Sequence, residues 1–283
     1  MRARTAHDVA ARRFLHAYFL DPYRPRASVI HHFDPRVKVT LALAFILITA
    51  LTPFGAWPIY LLLFALVLAT VILSELGVGY VLKRALIALP FALAALPMLF
   101  STGGTPLLDL SLGALSLTVT HEGAARFASI VVKSWLSVQM AVVLVGCTPF
   151  PALLAALRAL KVPRLLVAIV GLMWRYLFVL VDEALRLLRA RESRSAHPLE
   201  PTGRRVGGSL AWRARVAGGM VGNLFLRAFD RADRIYAAML SRGYDGDTRI
   251  LPLPPLGALE WVVLLTGLGM LALLAVIGLL FFQ

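Results

Sequence analysis

Residues 165–194 read LLVAIVGLMWRYLFVLVDEALRLLRARESR, and whether this stretch crosses a bilayer decides the fold. Leu165 to Trp174 are wholly apolar, which suits a span, but Arg175 interrupts and Asp182, Glu183, Arg186 and Arg189 follow. At about 100° per residue, Arg175, Asp182, Arg186 and Arg189 fall within about 60° of one another and leave the rest of the first five turns apolar. That pattern predicts a long amphipathic helix lying at or below the membrane surface, from about Arg164 to Arg194. At ~1.5 Å per residue it is about 45 Å long.

The same design recurs downstream. From about Leu210 to Arg242, the residues Arg227, Asp230, Arg231 and Arg234 share a face, with Asp230 and Arg234 four apart as an ion pair requires. A polar linker with Pro198, Pro201, Gly203 and Gly207–Gly208 separates the two helices, and a short apolar helix from Pro151 to Leu160 precedes them. These three helices form an insert of 108 residues, 148–255. If both long helices crossed the bilayer, Arg204 and Arg205 in the linker would lie outside. If only one crossed, the basic loops would end on opposite sides of the membrane.

Outside the insert the chain is strongly apolar. Hydrophobic residues make up 59% of its 283 residues and charged residues only 16%, against about 25% charged in a soluble domain. No soluble core buries that much apolar surface, so the excess faces lipid. Four segments, roughly 37–55, 58–77, 84–101 and 256–282, have the ~20 apolar residues of a span. A fifth, about 124–147, qualifies despite Arg126 and Lys133, and Pro90 and Pro97 predict kinks in the third. The polar, Arg-rich first 36 residues do not read as a signal peptide.

The 29 Lys and Arg against 15 Asp and Glu give a net charge of +14. Most of the basic residues lie outside the apolar runs, which points to lipid headgroups and not to nucleic acid. Residues 1–38 hold eight Lys and Arg, the insert holds seventeen, and Lys83 and Arg84 fall in the turn between the second and third spans. The turn at 53–58 and the loop 102–121 have none. Five spans with a cytoplasmic N-terminus satisfy every one of these counts and leave Gln283 outside. The predicted fold is an all-α polytopic membrane protein of the cell membrane. Residues 1–36 form a cytoplasmic segment, 37–147 four spans, 148–255 a cytoplasmic domain with two long crossed helices, and 256–283 the fifth span.

Catalytic patterns are missing. There is no P-loop, no G-x-S-x-G, no H-E-x-x-H and no C-x-x-C, and Cys147 is the single cysteine. His31 and His32 are neighbours without a third partner at ligand spacing, so no metal site is expected. Lys133, inside the fourth span, is either functional and paired or snorkelling to the interface. Asp34-Pro35 before the first span reads as a helix cap followed by a first-turn proline.

The ends of the long helices carry the clearest signal. Ser193-Arg194-Ser195 closes one and Ser241-Arg242-Gly243 closes the other, each an arginine between two small residues. Small neighbours leave a guanidinium free to enter a partner's groove and take a carboxylate bidentately. Either arginine alone also serves as an ordinary helix-end cation. Gly218, Gly219 and Gly222 on one helix, with Ala168 and Gly171 on the other, suggest a close crossing there.

Read together, HHFDPRVK at 31–38, TPFPALLAALRALKVPRLL at 148–166, MWRYLFVLVDEALRLLRARESRS at 173–195 and AAMLSRGYDG at 237–246 resemble the transmembrane T component of energy-coupling factor (ECF) transporters, the EcfT/CbiQ family. The resemblance runs from about residue 28 through nearly the whole chain, and its cadence is more like the cobalt branch, CbiQ, than the vitamin-sharing branch. It implies a non-catalytic subunit that joins two cytoplasmic ATP-binding-cassette ATPases to a membrane substrate-binding S component. ATP then sits on the partner subunits, and this chain binds no cofactor or metal. The resemblance assigns ATPase coupling to Ser193, Arg194 and Ser195 and to Ser241, Arg242 and Gly243. Ser on both sides of Arg194 departs slightly from the family's pattern, and Arg191 contends for the role. The expected pivot of the two helices is Gly171 with Gly218 and Gly222. Cobalt or nickel is the implied cargo, with a vitamin as the alternative. Three readings of other classes stay open on residues alone: a membrane enzyme acting on lipid headgroups, a basic membrane anchor, and a permease that binds substrate itself.

Overall fold

In the computed structural model, which describes residues 22–101, 103, 105–112, 115–194, 209–246 and 254–281, the first long helix starts where Asp34 can cap it. Asp34 Oδ1 accepts the Arg36 N–H at 2.7 Å, and Pro35 takes the first turn, where a missing N–H costs nothing. A single turn, α1 (Val29–His32), precedes this helix, α2 (Pro35–Leu51), and α3 (Trp57–Leu73) follows it.

The third apolar segment is broken. It runs as α4 (Val78–Ala85), a 3₁₀ turn at Leu86–Ala88, α5 (Leu89–Ala95) and α6 (Pro97–Ser101), with a bend of 41°. Pro90 and Pro97 stand in the first turns of α5 and α6, because a proline cannot donate into a continuing ladder. Lys83 and Arg84, expected in a turn, occupy the last turn of α4 instead. The chain reverses earlier, at Ser74–Gly77, where Glu75 and Gly77 take positive φ of 55° and 87°.

The segment 102–121, which has no Lys or Arg, carries a hairpin. Strands β1 (Pro106–Leu112) and β2 (Leu115–Thr120) pair antiparallel, with Leu108 opposite Val119 and Leu110 opposite Leu117. Leucines and a valine alternating with Asp109, Ser111, Ser116 and Thr118 have the period of two that strands require. Thr120 then caps α7 (His121–Cys147), its Oγ1 accepting the Gly123 N–H at 3.1 Å. A Cβ at Gly123 would stand 2.8 Å from the Leu99 carbonyl oxygen, so α6 and α7 meet backbone to backbone there.

After α8 (Phe150–Ala159) come the two long helices, α9 (Arg164–Arg194) and α10 (Leu210–Leu240), and then α11 (Ala258–Phe281). Among the described residues, three helices have the length and apolarity to cross a bilayer: His121–Cys147, Arg164–Arg191 and Ala258–Phe281. The bent pair Val78–Ala88 with Leu93–Phe100 makes a fourth. At 17 residues each, α2 and α3 reach about 25 Å, just short of a ~30 Å hydrocarbon core. The chain is thus a helical polytopic membrane protein with one hairpin.

The helices gather into two compact units, Asp21–Leu160 with Pro252–Gln283, and a second containing Lys161–Leu251. In the first, α2 packs on α7, α8 and α11, and α3 to α6 pack on α7. Phe45, Leu63, Val67 and Leu136 are fully buried at its centre, while Leu47, Leu61 and Leu280 point outward. Lipid tails are as apolar as leucine, so this core is held by close dispersion contact rather than by escape from water. The stacked rings of Phe64 and Trp135, 5.6 Å apart, are one such contact. The short helix α8, grouped with the insert by sequence, packs here. In the second unit α9 and α10 lie against each other.

Candidate docking site on the long helices

Both helix ends share one feature, a serine bonded back to its own helix beside an exposed arginine. In the last turn of α9, Ser193 Oγ donates back to the Ala190 carbonyl at 3.0 Å, and Arg194 is exposed. At the end of α10, Ser241 Oγ donates to the Ala238 carbonyl at 2.9 Å, and Arg242 is exposed. Each serine folds its hydroxyl onto its own helix and so stays clear of the arginine beside it. Neither guanidinium has a partner among the described residues. Ser195 lies outside them. Arg191, the contender, is half-buried where Arg194 is open.

The α10 terminus shows why glycine stands at 243. Its φ is +77°, in the left-handed region that L side chains avoid. The Tyr244 N–H donates to the Met239 carbonyl and the Gly243 N–H to the Leu240 carbonyl, both at 3.0 Å. These two bonds are a Schellman closure, which satisfies carbonyls the helix would otherwise leave bare. It sets Arg242 in the turn just past Leu240, with its side chain exposed.

The two helices are joined by charge. Glu183 on α9 accepts from Arg227 Nη1 on α10 at 2.7 Å and pairs with Arg186 one turn along its own helix. The hydrogen bond from Arg227, and then the two neighbouring positive charges, hold the Glu183 carboxyl below the usual carboxylate range. Helical periodicity puts Asp182 on the polar stripe and Glu183 beside it, yet Glu183 is the carboxylate that Arg227 reaches. A heptad-scale count of one helix does not reveal which carboxylate a second helix will reach. No ion pair joins Asp230 to Arg234 among the described residues.

The expected pivot is Gly171 with Gly218 and Gly222. A Cβ at Gly218, Gly219 or Gly222 would meet nothing within 4 Å, so these glycines are not where the helices touch. Leu180, Leu224 and Ala228 wall one cleft with Glu183 and Arg227, which places this contact within the two turns that follow Gly222. Small residues permit a close approach without compelling it, and here the ion pair and the larger side chains fix the contact. Gly171 is half-buried on α9.

Lys133 is paired. Its Nζ donates to the Ala50 carbonyl at 3.2 Å and to the Thr52 carbonyl, and it lies 4.5 Å from the Phe54 ring centre. It therefore caps the C-terminus of α2, where the helix dipole favours a cation. Ser129, one turn earlier on α7, accepts the Gly55 N–H at 3.0 Å, so α7 ties down the whole 52–55 turn.

The HHFDPRVK stretch does more than cap. Lys38 Nζ donates to the carbonyls of His31 and Cys147 at 3.3 Å each, and Arg36 Nη2 donates to the Pro254 carbonyl at 2.9 Å. The Arg24 N–H donates to the Gly146 carbonyl at 3.0 Å, and its guanidinium sits 3.7 Å over the Tyr80 ring. One short segment thus fastens the ends of α2, α7 and α4 and the approach to α11. His31 Nε2–H donates to the Arg24 carbonyl at 2.9 Å while the Ser28 hydroxyl donates to Nδ1 at 2.6 Å. Burial pushes this imidazole below its ordinary pKa.

Residues 26–252 match the family model described as CbiQ, cobalt transport protein. The energy-coupling factor transporter transmembrane protein EcfT of Listeria innocua is 30% identical over 237 residues, 80% of this chain and 84% of that protein. The cobalt transport protein CbiQ of Rhodobacter capsulatus is 30% identical over 164 residues, 58% of this chain and 63% of that protein. An uncharacterised protein of Methanocaldococcus jannaschii is 26% identical over 235 residues, 82% and 76% of the two chains.

Proposed function

The chain belongs to the EcfT/CbiQ family of transporter membrane components, and from that premise we propose that it is the coupling subunit of an ECF-type importer. It transmits ATP-driven motion of two cytoplasmic ATPases to a membrane S component, and ATP binding and hydrolysis belong to those ATPases. The observation that carries the reading is the feature the two helix ends share. Arg194 and Arg242 are both exposed, each flanked by a serine whose hydroxyl is folded away.

The topology in this reading has five spans: α2, α3, the broken α4–α6 segment, α7 and α11. The N-terminus is cytoplasmic, the C-terminus is outside, and α9 and α10 lie at the inner surface. The charged stripe on α9, which begins at Arg175 and takes in Asp182, Arg186 and Arg189, favours the interface over a sixth span. The short lengths of α2 and α3 fit a locally thinned bilayer.

Closure of the ATPase dimer on ATP moves Arg194 and Arg242 relative to each other. Rigid helices, clamped at Glu183–Arg227, convey that motion as levers to the S component. The cargo is cobalt or nickel, in keeping with the family model's description. A vitamin importer is the second reading, favoured by relatives whose names carry EcfT. Uptake of radiolabelled cobalt, nickel and vitamins by cells carrying the complete transporter tests both. Arg194→Ala with Arg242→Ala abolishes uptake of the true cargo, and normal uptake in that double variant overturns the proposal.

A further inference from the structure

Two hollows lie side by side between α9 and α10. One is an apolar groove of about 500 Å³, walled by Leu165, Leu172, Val179, Ala232, Ile235 and Met239 among others. The other is a cleft of about 220 Å³ that gathers Arg227, Arg231 and Arg234 with Glu183 and Asp230. Leu180, Ala228 and Arg231 wall both, so the groove runs into the cleft.

The charges in the cleft are unequal. Glu183 is already held by Arg186 and Arg227. Arg231 and Arg234 are then left with Asp230 alone, and among the described residues neither makes an ion pair. Three guanidinium groups against two carboxylates leave one surplus positive charge. A single phosphodiester carries one negative charge, and guanidinium forks match its paired oxygens. A free phosphate would use only the cleft, whereas a phosphate attached to a hydrocarbon chain would fill the groove as well.

We infer that this slot holds one anionic phospholipid of the inner leaflet, its phosphate at Arg231 and Arg234 and an acyl chain in the groove. The inference rests on the interfacial placement of α9 and α10 proposed above. The lipid covers apolar surface that the two helices leave open and joins them. It makes the lever assembly sensitive to the headgroup charge of the surrounding membrane.

The test uses the full chain, stripped of lipid in detergent and titrated with phosphatidylglycerol or phosphatidylcholine, with native mass spectrometry as the readout. The wild type retains one phosphatidylglycerol with a half-saturation about 30-fold below that of phosphatidylcholine, the factor two arginines contribute at an anionic headgroup. Arg231→Gln with Arg234→Gln removes the preference, and Ala232→Trp, which fills the groove, weakens both lipids. Inorganic phosphate in millimolar excess leaves the lipid bound. Equal retention of the two lipids by the wild type overturns the inference, as does displacement by inorganic phosphate or undiminished binding in Ala232→Trp. The wild-type comparisons need no variant and decide even where a substitution misfolds. A fluorophore on Leu226→Cys, quenched by brominated lipid in reconstituted vesicles, reads the interfacial placement by itself. Quenching without selective retention sinks the slot alone, and no quenching sinks the placement as well.

Discussion

Arg242 and Gly243 are adjacent, yet their substitutions should fail in opposite ways. The two bonds of the closure of α10 are made by backbone, from Tyr244 N–H to Met239 and from Gly243 N–H to Leu240. The Arg242 side chain is exposed and contributes none of them. Arg242→Ala should therefore change stability by no more than about 0.5 kcal/mol, the range of a surface substitution away from special features. Its effect on ATPase binding should be large, because an arginine anchoring an interface is worth about 2 kcal/mol or more, about 30-fold in affinity. Gly243→Ala keeps the arginine but forces a side chain into φ +77°, at a cost of ~1–2 kcal/mol. That variant should melt earlier while losing less affinity than Arg242→Ala. Thermal unfolding in detergent and equilibrium binding of the purified ATPases, measured on both variants, give four numbers. If Arg242→Ala lowers stability as much as Gly243→Ala, or leaves ATPase binding unchanged, the arginine is a helix cap and the separation of docking from folding is wrong.

Three further outcomes follow from the geometry. Lys133→Met removes a charged donor from the Ala50 and Thr52 carbonyls and should destabilise the membrane unit by about 2 kcal/mol in mixed-micelle unfolding, with partial recovery in Lys133→Arg. Gly123→Val, which drives a side chain into the Leu99 carbonyl, should destabilise strongly, whereas Gly222→Leu should leave assembly and uptake intact, since that position opens onto free space. The contact between α9 and α10 should hold at neutral pH and loosen in acid. The Glu183 pKa is depressed, so its contribution is complete above the ordinary carboxylate value of about 4.3 and is lost as pH falls through the lower, folded value. Spin-label distances between Leu188 and Leu226 across a pH series read this directly, and Arg227→Ala, which removes the group Glu183 reaches on α10, should leave the distance independent of pH over the same range.

Much of this architecture is local, and what is local was readable. The Asp34 cap, the apolar spans, the kinks near Pro90 and Pro97 and the two long amphipathic helices rest on interactions within about four residues. The α10 terminus, with glycine following Ser241-Arg242, likewise carries its own stop signal. The β-hairpin was legible too, through alternation at 106–120, but a charge-based reading of loops passed over it. What could not be read depends on partners far apart in sequence. Glu183 finds Arg227 44 residues away. Lys133 finds the end of α2 more than 80 residues back, and Lys38 finds Cys147 109 residues ahead. Periodicity shows which face a residue takes and not what stands opposite. For the same reason Gly218 and Gly222 suggested a crossing that the packed side chains place elsewhere.

The central claim is that two exposed arginines, each beside a serine at a helix end, hold the ATPases. Affinity purification of the full chain from its native membrane in mild detergent, as wild type and as Arg194→Ala with Arg242→Ala, tests it most directly. The account predicts that wild type brings down two ATPase copies and a small membrane protein, and that the double variant keeps the membrane partner but releases the ATPases. Equal recovery of the ATPases with both chains would contradict it.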